Sequence, residues 1–126
     1  MKRVEIGRAG EQLAANYLIS LGYQILETNF FNRRGYRIGE LDIIARSPEG
    51  ILIFVEVKSL RGNPQWTVPE MNLTSEKLKK IFKSVNLYLR KNDLLEEKWR
   101  VDLITVVFDF FRKKATLRQI KAIYQD

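Results

Sequence analysis

The sequence predicts a single α/β domain spanning residues 1–126, a mixed β-sheet flanked by helices. Two segments repeat apolar residues at helical spacing. The stretches between and after them are β-prone and bounded by turn residues. An apolar share of 45% beside 29% charged residues, in 126 residues, is enough for one hydrophobic core.

Taken in order, Ile6, Gly10, Leu13, Ala14, Tyr17, Leu18 and Leu21 share one side of a helix from Glu5 to Leu21, and Gly22 ends it. Gly7 and Gly10 lie on that apolar side, where the missing Cβ permits close approach to another element. Glu11 falls at its edge. Tyr23 to Phe30 is predicted as a short strand, and Asn32 to Arg37 as a basic loop. Ile38 to Arg46 and Ile51 to Ser59 are two β-prone runs around Ser47-Pro48-Glu49-Gly50. Pro48 suits the first position of a type I turn, and Gly50 the left-handed position that closes a hairpin loop. Leu60 to Leu73 is predicted as a loop holding Pro64, Trp66 and Pro69. Thr74 can cap a second helix with Glu76 in its first turn. Leu78, Ile81, Phe82, Val85, Tyr88 and Leu89 form its apolar stripe. Arg100 to Phe108 and Ala115 to Ile120 complete the strands, around a turn from Asp109 to Lys114.

The hairpin carries the candidate chemistry. With Pro48-Glu49-Gly50 as its loop, Ser47 pairs with Ile51, Ile44 faces Phe54, and Asp42 faces Glu56. Alternation then sets Glu40, Asp42, Glu56 and Lys58 on one face, with Leu41, Ile43, Ala45, Ile53, Val55 and Val57 on the other as core. Clustered carboxylates repel one another, and burying one unpaired costs several kcal/mol. A divalent cation removes the conflict, and Mg²⁺ accepts carboxylate oxygens and retained waters. Such an ion lowers the pKa of a bound water and stabilises charge on phosphate oxygen. Lys58 is placed to orient that water or hold the phosphate. The competing interpretation is a half-exposed hairpin with an ordinary salt bridge. Glu-x-Lys also occurs at Glu96 and Lys98, in a polar segment without β pattern.

Composition narrows the chemistry further. Cysteine and histidine are both absent, which excludes disulfides, thiolate and imidazole metal sites, and catalytic triads. A formal charge of +7, from 22 basic and 15 acidic residues, favours anionic partners such as nucleic acid, although a solvated basic surface is an equal alternative. The charged N-terminus and the lack of a long apolar run lead to the expectation of a cytoplasmic protein without membrane contact.

Gly10-Glu11, Gly22-Tyr23, Gly39-Glu40-Leu41-Asp42, Phe54-Val55-Glu56-Val57-Lys58, a lysine in the second helix and Arg100-Val101-Asp102 occur in that order. This set resembles the small bacterial YraN-type family, whose members look like archaeal Holliday-junction resolvases and other PD-(D/E)XK nucleases. The resemblance covers nearly the whole chain. It implies a restriction-endonuclease-like mixed β-sheet flanked by helices, with Asp42, Glu56 and Lys58 catalytic. It also implies Mg²⁺ or Mn²⁺ held by Asp42 and Glu56 with Glu11 and Glu40. Lys77 matches the second-helix lysine, and Asp102 a strand aspartate of structural character. Leu41 stands where the signature has proline, and no small glycine lies near Thr67.

The expected partner is DNA, branched or single-stranded. Arg33, Arg34, Tyr36 and Arg37, beside Phe30 and Phe31, mix charge with aromatic rings in a way that suits phosphates and bases. Arg61 with Trp66, and Lys77, are further candidates. The resemblance to resolvases implies a homodimer. Two function classes stand side by side: a metal-dependent endonuclease, and a non-catalytic nucleic-acid-binding or partner module on the same fold.

Overall fold

The computed structural model describes residues 2–31, 40–66 and 74–125, and within them every side chain except those of Phe31, Glu40 and Gln125. The order is α1 (Arg3–Ser20), β1 (Gln24–Phe31), β2 (Glu40–Arg46), β3 (Leu52–Arg61), α2 (Ser75–Lys91), β4 (Trp99–Asp109) and β5 (Lys114–Gln125). The strands form one five-stranded sheet in the order β1-β2-β3-β4-β5. Only β3 and β4 run parallel. Parallel neighbours need a crossover, and α2 supplies it.

Local chemistry sets the element ends. Leu21 closes α1 and Gly22 adopts φ +90°. The Gly22 amide donates to the Ile19 carbonyl and the Tyr23 amide to the Leu18 carbonyl, both at 3.0 Å, which satisfies two carbonyls of the last turn. Thr74 caps α2, its hydroxyl accepting the Lys77 amide at 3.2 Å. In the β2–β3 hairpin, Gly50 takes φ +90°, its amide donates to Ser47, and Ser47 donates to Ile51 at 2.9 Å. Ile44 then lies opposite Phe54, as the loop chemistry predicts.

The sheet is covered on both faces, where the sequence pattern had one face as core. Against α1 lie Ile43, Ala45, Ile53, Val55, Ile104 and Val106. Against α2 lie Leu41, Ile44, Leu52, Phe54 and Val101, with Tyr88 edge-on to both Phe30 and Phe54. Phe30 is therefore core and not a base-stacking residue. Leu41 breaks the expected alternation: it joins the α2 side while Ile43 and Ala45 join the α1 side. The cause lies across the ladder, where Asn29 has φ +54° between the pairs Thr28–Ile43 and Phe30–Leu41. Asparagine tolerates the left-handed region, and the kink there turns both strands over.

α1 buries a narrower line than its apolar stripe: Ile6, Gly10, Ala14 and Leu18, with Leu13 and Leu21 exposed. Small residues bring the backbone close to the sheet. A Cβ on Gly10 would lie 2.8 Å from Ser59 Cβ and overlap its hydroxyl, whereas one on Gly7 would meet nothing within 4 Å. Close approach thus belongs to Gly10 alone of the two. Leu60 and Arg61 extend β3 and do not start a loop. β5 runs past Ile120 to Gln125 because a bulge opposite Asp102, with Ala122 at φ +54°, lets pairing resume at Tyr124.

Candidate active site

Asp42 sits where β2 and β3 part. The last pair of their ladder is Ile43 with Val55. Were the register to continue, the Val57 amide would face Leu41. It donates instead to Asp42 Oδ2, at 2.7 Å. A strand amide points in the plane of its sheet, so this bond holds the Asp42 carboxylate near that plane and beside the backbone joining Glu56 to Lys58. The expected pairing of Asp42 with Glu56 across the ladder is replaced by this side-chain contact.

On the α1 side, Asp42 opens into a hollow of about 270 Å³ lined by Arg8, Glu11, Gln12, Ala15, Thr28, Asn29 and Ile43. Glu11 reaches it because it is half-buried at the margin of the Gly10–Ala14 line. The structure thus brings Glu11 and Asp42 to one hollow. Arg8, Gln12 and Asn29 were missed from the sequence. Arg8, Glu11, Gln12 and Ala15 repeat at helical spacing beside the buried line, a polar stripe that could have flagged the first two.

Glu56 and Lys58 flank Val57 on β3 and are half-buried. Val55 and Val57 pack on the α1 side, so alternation turns Glu56 and Lys58 toward α2, away from the hollow of Asp42 and Glu11, where the sequence pattern places Asp42, Glu56 and Lys58 on one face. There Lys58 meets Lys77, in the first turn of α2. Burial, then the charge of Lys77 and a hydrogen bond with it, hold the Lys58 ammonium below the usual lysine range, against the opposing pull of Glu56. A lysine less tightly charged than normal, beside a strand carboxylate, is suited to handling a proton near an anion.

The remaining candidates divide cleanly. Glu40 opens β2, with its side chain outside the described residues, and Arg33, Arg34, Tyr36 and Arg37 lie outside them altogether. Arg61 is exposed at the end of β3, its guanidinium 4.4 Å from the centre of the Phe110 ring. Asp102 is fully buried on β4 and bonded to Arg100, Gln119 and the Ala122 amide, which gives it a structural role. Among the described residues, no three of Asp, Glu, Cys and His stand close enough to hold a metal ion. Among them, too, no helix is long and apolar enough to cross a membrane.

Residues 10–106 match the uncharacterised protein family UPF0102. A UPF0102 protein of Clostridium tetani is 38% identical over 121 residues, covering 96% of this chain and 94% of its own. One from Persephonella marina is 40% identical over 101 residues, 80% of this chain and 82% of its own. One from Clostridioides difficile is 42% identical over 106 residues, 84% of this chain and 88% of its own.

Proposed function

The chain belongs to the uncharacterised protein family UPF0102, and from that premise we propose that it is a metal-dependent endonuclease of restriction-endonuclease-like fold, hydrolysing DNA phosphodiester bonds at Asp42, Glu56 and Lys58. The observation that carries this is the Asp42 carboxylate, lodged at the parting of β2 and β3 by the Val57 amide and opening on a hollow shared with Glu11.

The donors fit a hard cation. They are carboxylate oxygens, in a chain without thiol or imidazole. With no group of three close carboxylates among the described residues, a cation beside Glu11 and Asp42 would keep several waters, as Mg²⁺ and Mn²⁺ do in such sites. When bound, the ion supplies a water of lowered pKa and charge stabilisation on the phosphate.

The residues of the chain do the rest. Asp42 is oriented by its bond to Val57 and cannot swing away without leaving that amide unpaired. Glu56, one residue before Val57 and turned toward α2, would offer its carboxylate from the other side of the sheet plane in which Asp42 is held. Lys58 holds the scissile phosphate or passes a proton at the attacking water, its ammonium pKa lowered by burial and by Lys77. Arg8, on the rim of the hollow, offers a further cation to a phosphate. A homodimer would present two such sites to two strands.

The second possibility is a non-catalytic nucleic-acid-binding module on the same fold. A cleavage panel separates the two. Branched, flapped, single-stranded and duplex DNA are incubated with Mg²⁺ or Mn²⁺ beside Asp42→Ala. Cleavage by wild type, lost in Asp42→Ala with binding retained, is the expected result. Cleavage that survives Asp42→Ala in purified protein would overturn the endonuclease assignment. DNA binding without any cleavage would put the binding module in front.

A further inference from the structure

We propose that the tip of the β4–β5 hairpin, with Arg61, is a stacking platform for an unpaired base of a single-stranded nucleic-acid segment. This rests on the nucleic-acid reading above and names the form of substrate it would favour.

The hairpin turns through Phe110-Phe111-Arg112-Lys113 between the paired residues Asp109 and Lys114. Phe111 is 95% exposed, a cost that any polar residue at a hairpin tip would avoid. Its presentation is fixed by the chain. The buried Asp109 accepts the Arg112 amide at 3.0 Å, and Lys113 takes φ +55° to close the loop. The Gly62 amide donates to the Phe108 carbonyl at 2.9 Å and ties the end of β3 to the hairpin. Phe110 is not free to follow Phe111 outward. It lies over Phe108, ring centres 6.2 Å apart and 18° from parallel, with Arg61 across its face. An open hollow of about 470 Å³ runs between Arg61, Asn63 and the hairpin.

Charge selects the occupant. Arg61, Arg112, Lys113 and Lys114 surround this aromatic surface, and the one acid among them, Asp109, is buried against Arg112. A flat apolar ring rimmed by cations is complementary to a base and its flanking phosphates. A lipid surface would call for a broader apolar face than the single projecting ring of Phe111. Blunt duplex offers a free base face only at its two ends. The platform closes the C-terminal end of β3, three residues beyond Lys58 and about 10 Å along the strand, on the face opposite that side chain.

The test is equilibrium binding in EDTA, at fixed salt, so that cleavage plays no part. Four probes are compared: a labelled single strand, a blunt duplex of the same sequence, a strand of abasic sugar-phosphate, and anionic phospholipid vesicles. Because Phe111 is exposed, Phe111→Ala should fold as wild type. It is expected to weaken single-strand binding by about tenfold, while Phe111→Tyr retains it and neither changes duplex or abasic binding. Equal single-strand affinity of wild type and Phe111→Ala would overturn the platform. So would an equal loss on the abasic strand, no single-strand binding by wild type, or Phe111 dependence confined to vesicles. The endonuclease assignment is judged apart, in Mg²⁺. Cleavage with Phe111-independent binding sinks the platform alone, and Phe111-dependent binding without cleavage sinks the endonuclease alone.

Discussion

Arg100 and Asp102, two residues apart on β4, form a part-buried ion pair in which Arg100 Nε donates to Asp102 Oδ1 at 2.9 Å. The Asp102 carboxylate is fully buried, yet every side of it is engaged. Gln119 Nε2 and the Ala122 amide each donate to it at 2.9 Å, and Arg100 also donates to the Tyr23 hydroxyl at 3.1 Å. Burial alone would lower the Arg100 pKa, but the hydrogen bond and charge of Asp102, with Tyr23, hold it above its ordinary value. The carboxylate thus fills the bulge of β5 and joins that edge strand to the end of α1.

Asp102→Asn should therefore destabilise the protein by up to about 3–5 kcal/mol, since it leaves the part-buried Arg100 charge without its counter-ion. Urea unfolding measures this. If Asp102 instead served a metal, Asp102→Asn would lower Mn²⁺ affinity with little loss of stability, the reverse of what is expected here.

Gly7 and Gly10, one turn apart on α1, should respond oppositely to alanine. Gly10→Ala drives a methyl into Ser59 and should cost about 1–3 kcal/mol. Gly7→Ala meets no neighbour and should stabilise the helix by about 0.5–1 kcal/mol. Comparing the two urea midpoints checks this, and equal effects would contradict the close contact of α1 with β3.

Tyr88 gives a pH dependence far from the carboxylates. Burial, then the charge of Glu27, raise its hydroxyl pKa above 10.0, against Arg46. The folded state thus keeps this proton at pH values where the unfolded state releases it. The contribution to stability is complete below about pH 10 and is lost as pH rises through the folded-state value. The stability difference between wild type and Tyr88→Phe should be constant below that pH and shift against wild type above it. A difference independent of pH up to the alkaline limit would contradict the raised pKa.

What was legible in the sequence follows from local chemistry. Gly22 and Pro48-Glu49-Gly50 act through their own backbone geometry and Thr74 through its hydroxyl on a nearby amide, so the helix ends and the hairpin register could be read directly. The reversal of faces at Asn29 and Asp42 could not, because a left-handed asparagine carries no signature in residue order. Strict alternation consequently put Leu41 with Ile43, and Asp42 with Glu56 on an open face. Leu52 and Phe54 share the parity of Glu56 and Lys58 but are buried under α2, so the polar ends of those strands did not mark a solvated face. Of the candidate site, the convergence of Glu11 and Asp42 was readable from helical position. The bond from Val57 to Asp42 and the meeting of Lys58 with Lys77 depend on how the strands part and where α2 begins, which only the fold determines.

The central claim is that Asp42 holds a divalent cation, and calorimetric titration of wild type and Asp42→Asn with Mn²⁺ tests it most directly. Wild type should bind Mn²⁺. Asp42→Asn should lose that binding, or weaken it by more than the roughly 10–100-fold that loss of a merely supporting residue costs. A urea midpoint taken alongside shows that the variant is folded. Superimposable Mn²⁺ isotherms for the two folded proteins, or no binding by wild type, would contradict the claim.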